Sequence, residues 1–347
     1  MENEKLLKQI VNHDPIRGAG VTRRNVLKGM GAGAAAVGAG MALPGGLSAA
    51  ERDLAMLTWD GYVDPRVLDG FTDQHATDIK YELHTSDPDS VNKLRAGQTE
   101  IWDIINLNNP WAREIMWPEN LIVELDRARF EPYFDKMLPM FKPPYKWAMS
   151  QDVQHLLGVC QRVDTFDFVV NTDVISAEMG KDEGWDLFNN PDMKGRYGIL
   201  AYDNWNIMHM CLTGDQNPFE VMDQAGLEKF RNTADTIFGG AKMLTDDLVA
   251  MNTALINGEI DAYFTGGTYT ASPARFDGAT NVRGITPKSG PVDGKGGVVW
   301  IELTSAVNNP NPSNLAEDFL EFVQTPDICK AVAFSEGTYN PVSQMGD

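Results

Sequence analysis

Cysteine and histidine are scarce in this chain of 347 residues, which has three of the first and five of the second. Cys160, Cys211 and Cys329 lack the paired spacing of a zinc site, and their odd number leaves room for one disulfide at most. They read as small buried hydrophobes. His75, His84, His155 and His209 are scattered, with no two at metal-ligand spacing. A glycine-rich phosphate loop with its lysine and a nucleophile elbow are also missing. Acidic pairs such as Asp246-Asp247 fit solvated helix starts better than general acid/base couples. No enzyme, metal or cofactor is indicated. Basic residues are few as well: 29 Lys and Arg stand against 49 Asp and Glu, a formal net charge of −20. That balance excludes nucleic acid as a partner, which needs a cationic face. Internal repeats, long low-complexity tracts and linkers between independent domains are absent too.

A charge-free apolar stretch occurs at Gly29 to Ala50, after a polar segment carrying Arg17, Arg23, Arg24 and Lys28. It is rich in Gly and Ala and interrupted by Pro44, which suits a cleaved signal better than a membrane span or a buried helix. Thr22-Arg23-Arg24-Asn25-Val26-Leu27-Lys28 resembles the twin-arginine export motif, with Val26 where Phe is commoner. Ser48-Ala49-Ala50 offers small residues for cleavage, so residues 1–50 are expected to be a signal peptide and the mature chain to start near Glu51 in the periplasm. The remainder holds 23 basic and 46 acidic side chains. Such a surplus concentrates cationic solutes, and it serves solubility equally well.

The mature chain, about 297 residues, suits two lobes rather than one small core. Leu54–Thr58 reads as a strand, Pro65–Gln74 as a helix, 78–83 as a strand, 89–96 as a helix and 102–107 as a strand. That β-α-β-α-β order implies a parallel sheet with crossover helices. Residues 130–151 form a packed irregular segment, and 166–171 is a strand crossing into a second unit. There 195–201, 258–264 and 298–303 read as strands, while 207–212, 227–238, 247–256 and 314–324 read as helices. Ligands of open α/β sheets sit beyond the carboxyl ends of the strands. The informative stretches are therefore Trp59 to Tyr62, Asn106 to Trp111 and Tyr202 to Asn206, which mix rings with short polar groups.

Leu54 to Thr58 with Trp59-Asp60-Gly61-Tyr62, Glu100 to Ile105, Gly258 to Tyr263, Val299 to Glu302, the helix around Glu317 to Val323 and Thr325-Pro326-Asp327 resemble, in this order, the spermidine/putrescine-binding protein family. The resemblance spans almost all of the mature chain. It implies an α/β fold of the type II periplasmic binding class, with two lobes joined by a hinge and closing on a ligand between them. The implied lobes are 51–163 with 300–347, and 164–299. The implied function is capture of a small cationic amine for the permease subunits of an ABC uptake transporter. In that family an amine lies between rings, with carboxylates at its ammonium ends.

By position the resemblance assigns Trp59 and Tyr62 as first-lobe rings, Asp60 as an acceptor beside them, and Asn108 as a polar contact. It assigns Asp203 as a second-lobe carboxylate, Phe264 as a ring that is usually Trp, and Trp300 with Glu302 as the aromatic and acid of the crossing strand. Glu302, among apolar neighbours, is the leading ammonium acceptor. Asn206 stands where many relatives have a second acid, and Gly61 replaces another, which leaves room for a monoamine, a zwitterion or a neutral solute. The chain also ends at Asp347, soon after its final helix, where family members continue, as in a short member or a truncated sequence. The alternatives are the same fold tuned to a sugar, an amino-acid derivative, an anion or a metal, and an enzyme on this scaffold, for which no catalytic constellation can be assembled. Against an anion, only Arg113 and Arg162 stand near the strand-end loops; against iron, no Tyr-Tyr pair occurs.

Overall fold

A computed structural model of the chain describes residues 53–84 and 86–342, without the side chain of Asp203. The expected signal peptide and twin-arginine motif lie outside the described residues.

The first sheet grows from β1 (Leu54–Thr58), fully buried, with β2 (Ile79–Leu83) and β3 (Ile104–Asn108) parallel to it on either side. The connections are helices with plain sequence reasons. In α1 (Pro65–His75), Asp64 caps the Arg66 amide, Pro65 pre-sets the first turn, and Val67, Leu68 and Phe71 turn inward. In α2 (Asp87–Arg95), Ser86 caps the Asp89 amide and Asp87 and Asp89 meet the positive end of the helix dipole. A short helix α3 (Arg127–Phe134) follows in the segment read as irregular.

The second sheet contains β5 (Tyr197–Leu200), β6 (Met243–Thr245), β7 (Ala262–Gly266) and β8 (Val282–Ile285). Two long strands join the sheets. The end of β9 (Val298–Ala306) pairs antiparallel with β3, while its beginning pairs with the start of β4 (Val163–Asn171). The rest of β4 pairs with β7 and β8, giving the order β2-β1-β3-β9-β4-β7-β5-β6 with β8 also on β4. Helices α4 (Ala177–Glu183), α5 (Asp203–Thr213), α6 (Gln224–Gly240), α7 (Leu248–Ile256) and α8 (Thr268–Phe276) cover this second sheet. Then α9 (Ala316–Phe322) and α10 (Pro326–Glu336) return to the first.

The cores follow the same division. One apolar cluster, including Leu54, Phe71, Ile105, Phe130 and Phe319, fills the first unit. Two others lie in the second, around Phe168, Trp185 and Phe264, and around Met251, Leu255 and Tyr263. Cys160, Cys211 and Cys329 are buried free thiols, so the room left for one bridge is not used. Residues 258–261, read as the start of a strand, form a turn with Gly258 at φ +72°, and β7 begins only at Ala262.

Candidate functional site

Strands β4 and β9 present one face to the space between the sheets. Trp300 lies opposite Asp164, and Glu302 opposite Asn108. Residues two apart on a strand share a face, so these four side chains stand together, with Arg162 just ahead of β4. The turn after β1 adds Trp59, Asp60 and Tyr62. The segment after β2 adds His84 and Asp87, and the wide helical turn after β3 adds Trp111.

Two glycines make the approach possible. A Cβ on Gly61 would stand 2.6 Å from the Ser335 hydroxyl and 2.8 Å from Glu336, whose carboxylate accepts the Gly61 amide. A larger residue there would have to displace the Ser335 and Glu336 side chains. At the head of α8, a Cβ on Gly267 would stand 2.7 Å from the Thr165 carbonyl. Its absence lets the Tyr269 amide reach Asp164 at 2.8 Å.

Glu302 is buried and fully engaged. Its Oε2 accepts from Arg162 Nε at 2.6 Å and from the Tyr62 hydroxyl at 2.9 Å, and its Oε1 accepts from Arg162 Nη2 at 2.9 Å. The third guanidinium nitrogen bonds Glu336, and the Arg162 guanidinium lies 5.0 Å from the Tyr62 ring centre. Burial would lower the Arg162 pKa, but the charge and hydrogen bonds of Glu302 together with Tyr62 and Tyr269 outweigh it and hold the group firmly cationic. The sequence reading makes Glu302 the leading acceptor for a guest; the structure supplies it with a cation from within the chain.

Asp87 is the counterpart. Its carboxyl is pushed up from 3.8 to about 7, first by burial, with Asn108 and Trp111 favouring the charged form and Glu302 opposing it. Asn108 donates to Oδ2 at 3.2 Å, whereas Oδ1 and the Asn108 Oδ1 are buried and make no hydrogen bond among the described residues. The indole N–H groups of Trp59 and Trp300 are likewise buried without a partner. Trp59 packs edge-on against His84 at 4.6 Å, and burial lowers that imidazole to about 3, so it stays neutral and bonds the Asn106 carbonyl at 2.8 Å. Asp60 is exposed at the rim, raised by burial of part of its carboxyl and by Asp64, and lowered by Arg162.

From the second unit come rings. Tyr269 feels the charges of Arg162, Glu302 and Asp60, and burial pushes its phenol to about 12. Phe166 meets Trp205 at 5.1 Å, and Trp205 meets Tyr202 at 5.9 Å. Asp203 opens α5 beside them, its side chain outside the described set. Two assigned residues are elsewhere. Phe264 is fully buried against Phe188 and His209 at 5.0 and 5.5 Å, because β7 is covered on both faces and has no solvent side. Asn206 is buried too: it donates to the Leu200 carbonyl at 2.8 Å and accepts the Thr265 hydroxyl, tying α5 to the sheet. A separate groove of about 380 Å³ has a mostly apolar lining that includes Val163, Val299, Phe141 and Tyr339. Its one carboxyl, Asp164, already accepts the amides of Thr165 and Tyr269. The acidic, ring-walled corner is the better site for a charged guest.

Asp87, Arg162, Trp111, Trp205 and Tyr269 complete this corner although the resemblance assigns none of them. Asp87 follows β2 and Tyr269 follows β7, so the strand-end rule covers both if applied to every strand.

No family model matches the chain. It is 21% identical over 306 residues to the spermidine/putrescine-binding periplasmic protein of Escherichia coli (strain K12), covering 86% of this chain and 82% of that protein. Among solved structures it is similar to the spermidine/putrescine ABC transporter substrate-binding protein PotD from Streptococcus pneumoniae, with a TM-score of 0.65, 17% identity, and coverage of 84% of this chain and 83% of that one. It is also similar to iron-bound HitA from Pseudomonas aeruginosa, with a TM-score of 0.62, 14% identity, and coverage of 84% and 87%. The fold is therefore that of the type II periplasmic binding proteins, which serves more than one kind of cargo. Along this two-lobed frame the motif residues stand in the order of the spermidine/putrescine-binding proteins to which the chain is similar.

Proposed function

We propose that this protein captures a small cationic amine, such as putrescine or spermidine, in the crevice between its lobes and delivers it to the permease subunits of an ABC uptake transporter. The lobes are 51–163 with 300–347, and 164–299, and closure about the β4 and β9 crossing brings the walls together. Export through a cleaved twin-arginine signal belongs to the same reading, since such cargo is collected outside the cytoplasm.

One observation carries the ligand class: four carboxyl groups, of Asp60, Asp87, Glu302 and Glu336, gather around one guanidinium, that of Arg162. The corner is net negative and partly desolvated, so a cation gains more there than in water. The rings beside it suit the remainder of an amine, because ring faces attract ammonium and bury methylene groups. No bond need be made or broken.

The test is a fluorescence titration with putrescine, spermidine, a monoamine, a sugar and a carboxylate. Trp59 and Trp300 are proposed crevice walls, so amines should shift or quench tryptophan emission while the others leave it unchanged. A response to the sugar or carboxylate with none to any amine overturns the ligand class and leaves the fold standing.

A further inference from the structure

The carboxyl groups of the crevice are unequally occupied, and the inequality says where a guest's charge goes. Glu302 has both oxygens on Arg162 and a further bond from Tyr62. Glu336 accepts the Gly61 amide on one oxygen and Arg162 on the other. Asp164 accepts backbone amides on both of its oxygens, at 2.7 and 2.8 Å. These groups hold the crossing strands, α8 and α10 together. Asp87 differs: Oδ2 takes a long bond from Asn108, the Trp111 indole offers the carboxyl a further neutral donor, and Oδ1 has no partner at ordinary hydrogen-bond geometry among the described residues. The Asn108 side-chain oxygen beside it also has none. Two buried acceptors thus lie on neighbouring side chains at the ends of β2 and β3, next to the indole of Trp111. Buried acceptors without donors are unfavourable, and a donor that carries positive charge is the strongest partner they can have.

Resting on the reading of the site as an amine receptor, we infer that Asp87 and Asn108 receive the ligand's ammonium on the first lobe, and that Arg162 is a built-in cation that removes Glu302 from this task. The chemistry also selects a class. A primary ammonium brings N–H donors to both free acceptors, whereas a quaternary ammonium brings none and can use only the rings. The site therefore prefers primary amines to choline-like cations of equal charge. Proton linkage follows: the Asp87 carboxyl, near 7 in the free protein, must ionise to hold the ammonium, and the groups facing it are Asn108 of β3, Trp111 beyond it, Glu302 of β9 and Arg162 ahead of β4. The last two remain locked in their ion pair.

The experiment measures putrescine, ethanolamine and choline affinities by calorimetry from pH 6 to 8 for the wild-type protein and for Asp87→Asn, Asp87→Ser and Glu302→Gln. Wild-type affinity for putrescine should rise with pH across this range, and that for ethanolamine should exceed that for choline, which carries the same charge. Both Asp87 variants should bind putrescine at least about tenfold more weakly, with a flat pH profile, while keeping the wild-type circular dichroism spectrum. Glu302→Gln, though less stable, should keep the rise of putrescine affinity with pH that the Asp87 variants lose. Wild-type affinity in both Asp87 variants, or loss of binding confined to folded Glu302→Gln, overturns the inference and leaves the amine receptor intact. Absence of any amine binding by the wild-type protein overturns both.

Discussion

The two walls of the crevice are made of different materials. On the first lobe, short polar side chains at the ends of β1, β2 and β3 supply carboxyl and amide oxygens, and the hydrogen-bond network around Arg162 fixes most of them. On the second lobe, Phe166, Trp205 and Tyr269 supply rings, with the head of α8 pinned to Asp164. In the proposed reading an ammonium meets the first wall and a methylene chain the second. On that reading neither wall alone desolvates a guest, and closure and recognition become one event.

The largest expected effect comes from dismantling the first wall. Arg162→Met leaves Glu302 and Glu336 without their cation, and with Glu302 buried the variant should lose about 3–5 kcal/mol of stability in urea unfolding. A change below about 1 kcal/mol would mean that the ion pair is not the wall's foundation. Next in size is the second wall. In Gly267→Ala the new methyl meets the Thr165 carbonyl, and relief of that clash should cost about 1–3 kcal/mol and weaken amine binding, because Tyr269 shifts away from Asp164. An unchanged melting curve and affinity would detach α8 from the site.

The smallest effect is in pH. The Asp87 pKa is raised from 3.8 to about 7, so folding is favoured while the carboxyl is protonated, and that advantage is lost as pH rises from about 4 through about 7. His84 and His209, lowered by burial from 6.5 to about 3 and about 4, act oppositely, removing stability as pH falls below 6.5. Between pH 6.5 and 8 the histidines of the unfolded chain still shed protons, which opposes the Asp87 effect, and the Asp164 and Asp167 carboxyls are raised by burial as well, so the share of Asp87 is the difference between wild type and Asp87→Asn. Relative to Asp87→Asn, the ligand-free wild-type protein should lose on the order of 1 kcal/mol over that interval, and parallel curves would contradict this.

Much of this was legible in the chain. The buried run of β1, the Asp64-Pro65 start of α1 and the Trp59 to Tyr62 turn are local signals, and local signals survive folding. What escaped depends on distance or on coverage. Arg162 meets Glu302 across 140 residues, a pairing that no spacing reveals. Phe264 is a site ring by the resemblance alone, and with both faces of β7 covered alternation carries no information about which side is wet. Helix α8 hides behind Pro273, which is tolerated within a nine-residue helix, and β6 and β8 are three and four residues long. Asp103 is buried and accepts the Ala55 and Ser313 amides, so its work is architectural.

The most direct test of a crevice that selects positive charge compares putrescine with the uncharged diol of the same length by calorimetry on the same protein. Binding of the diamine with no measurable heat from the diol is the expected result. Equal binding of both, or of the diol alone, would contradict it.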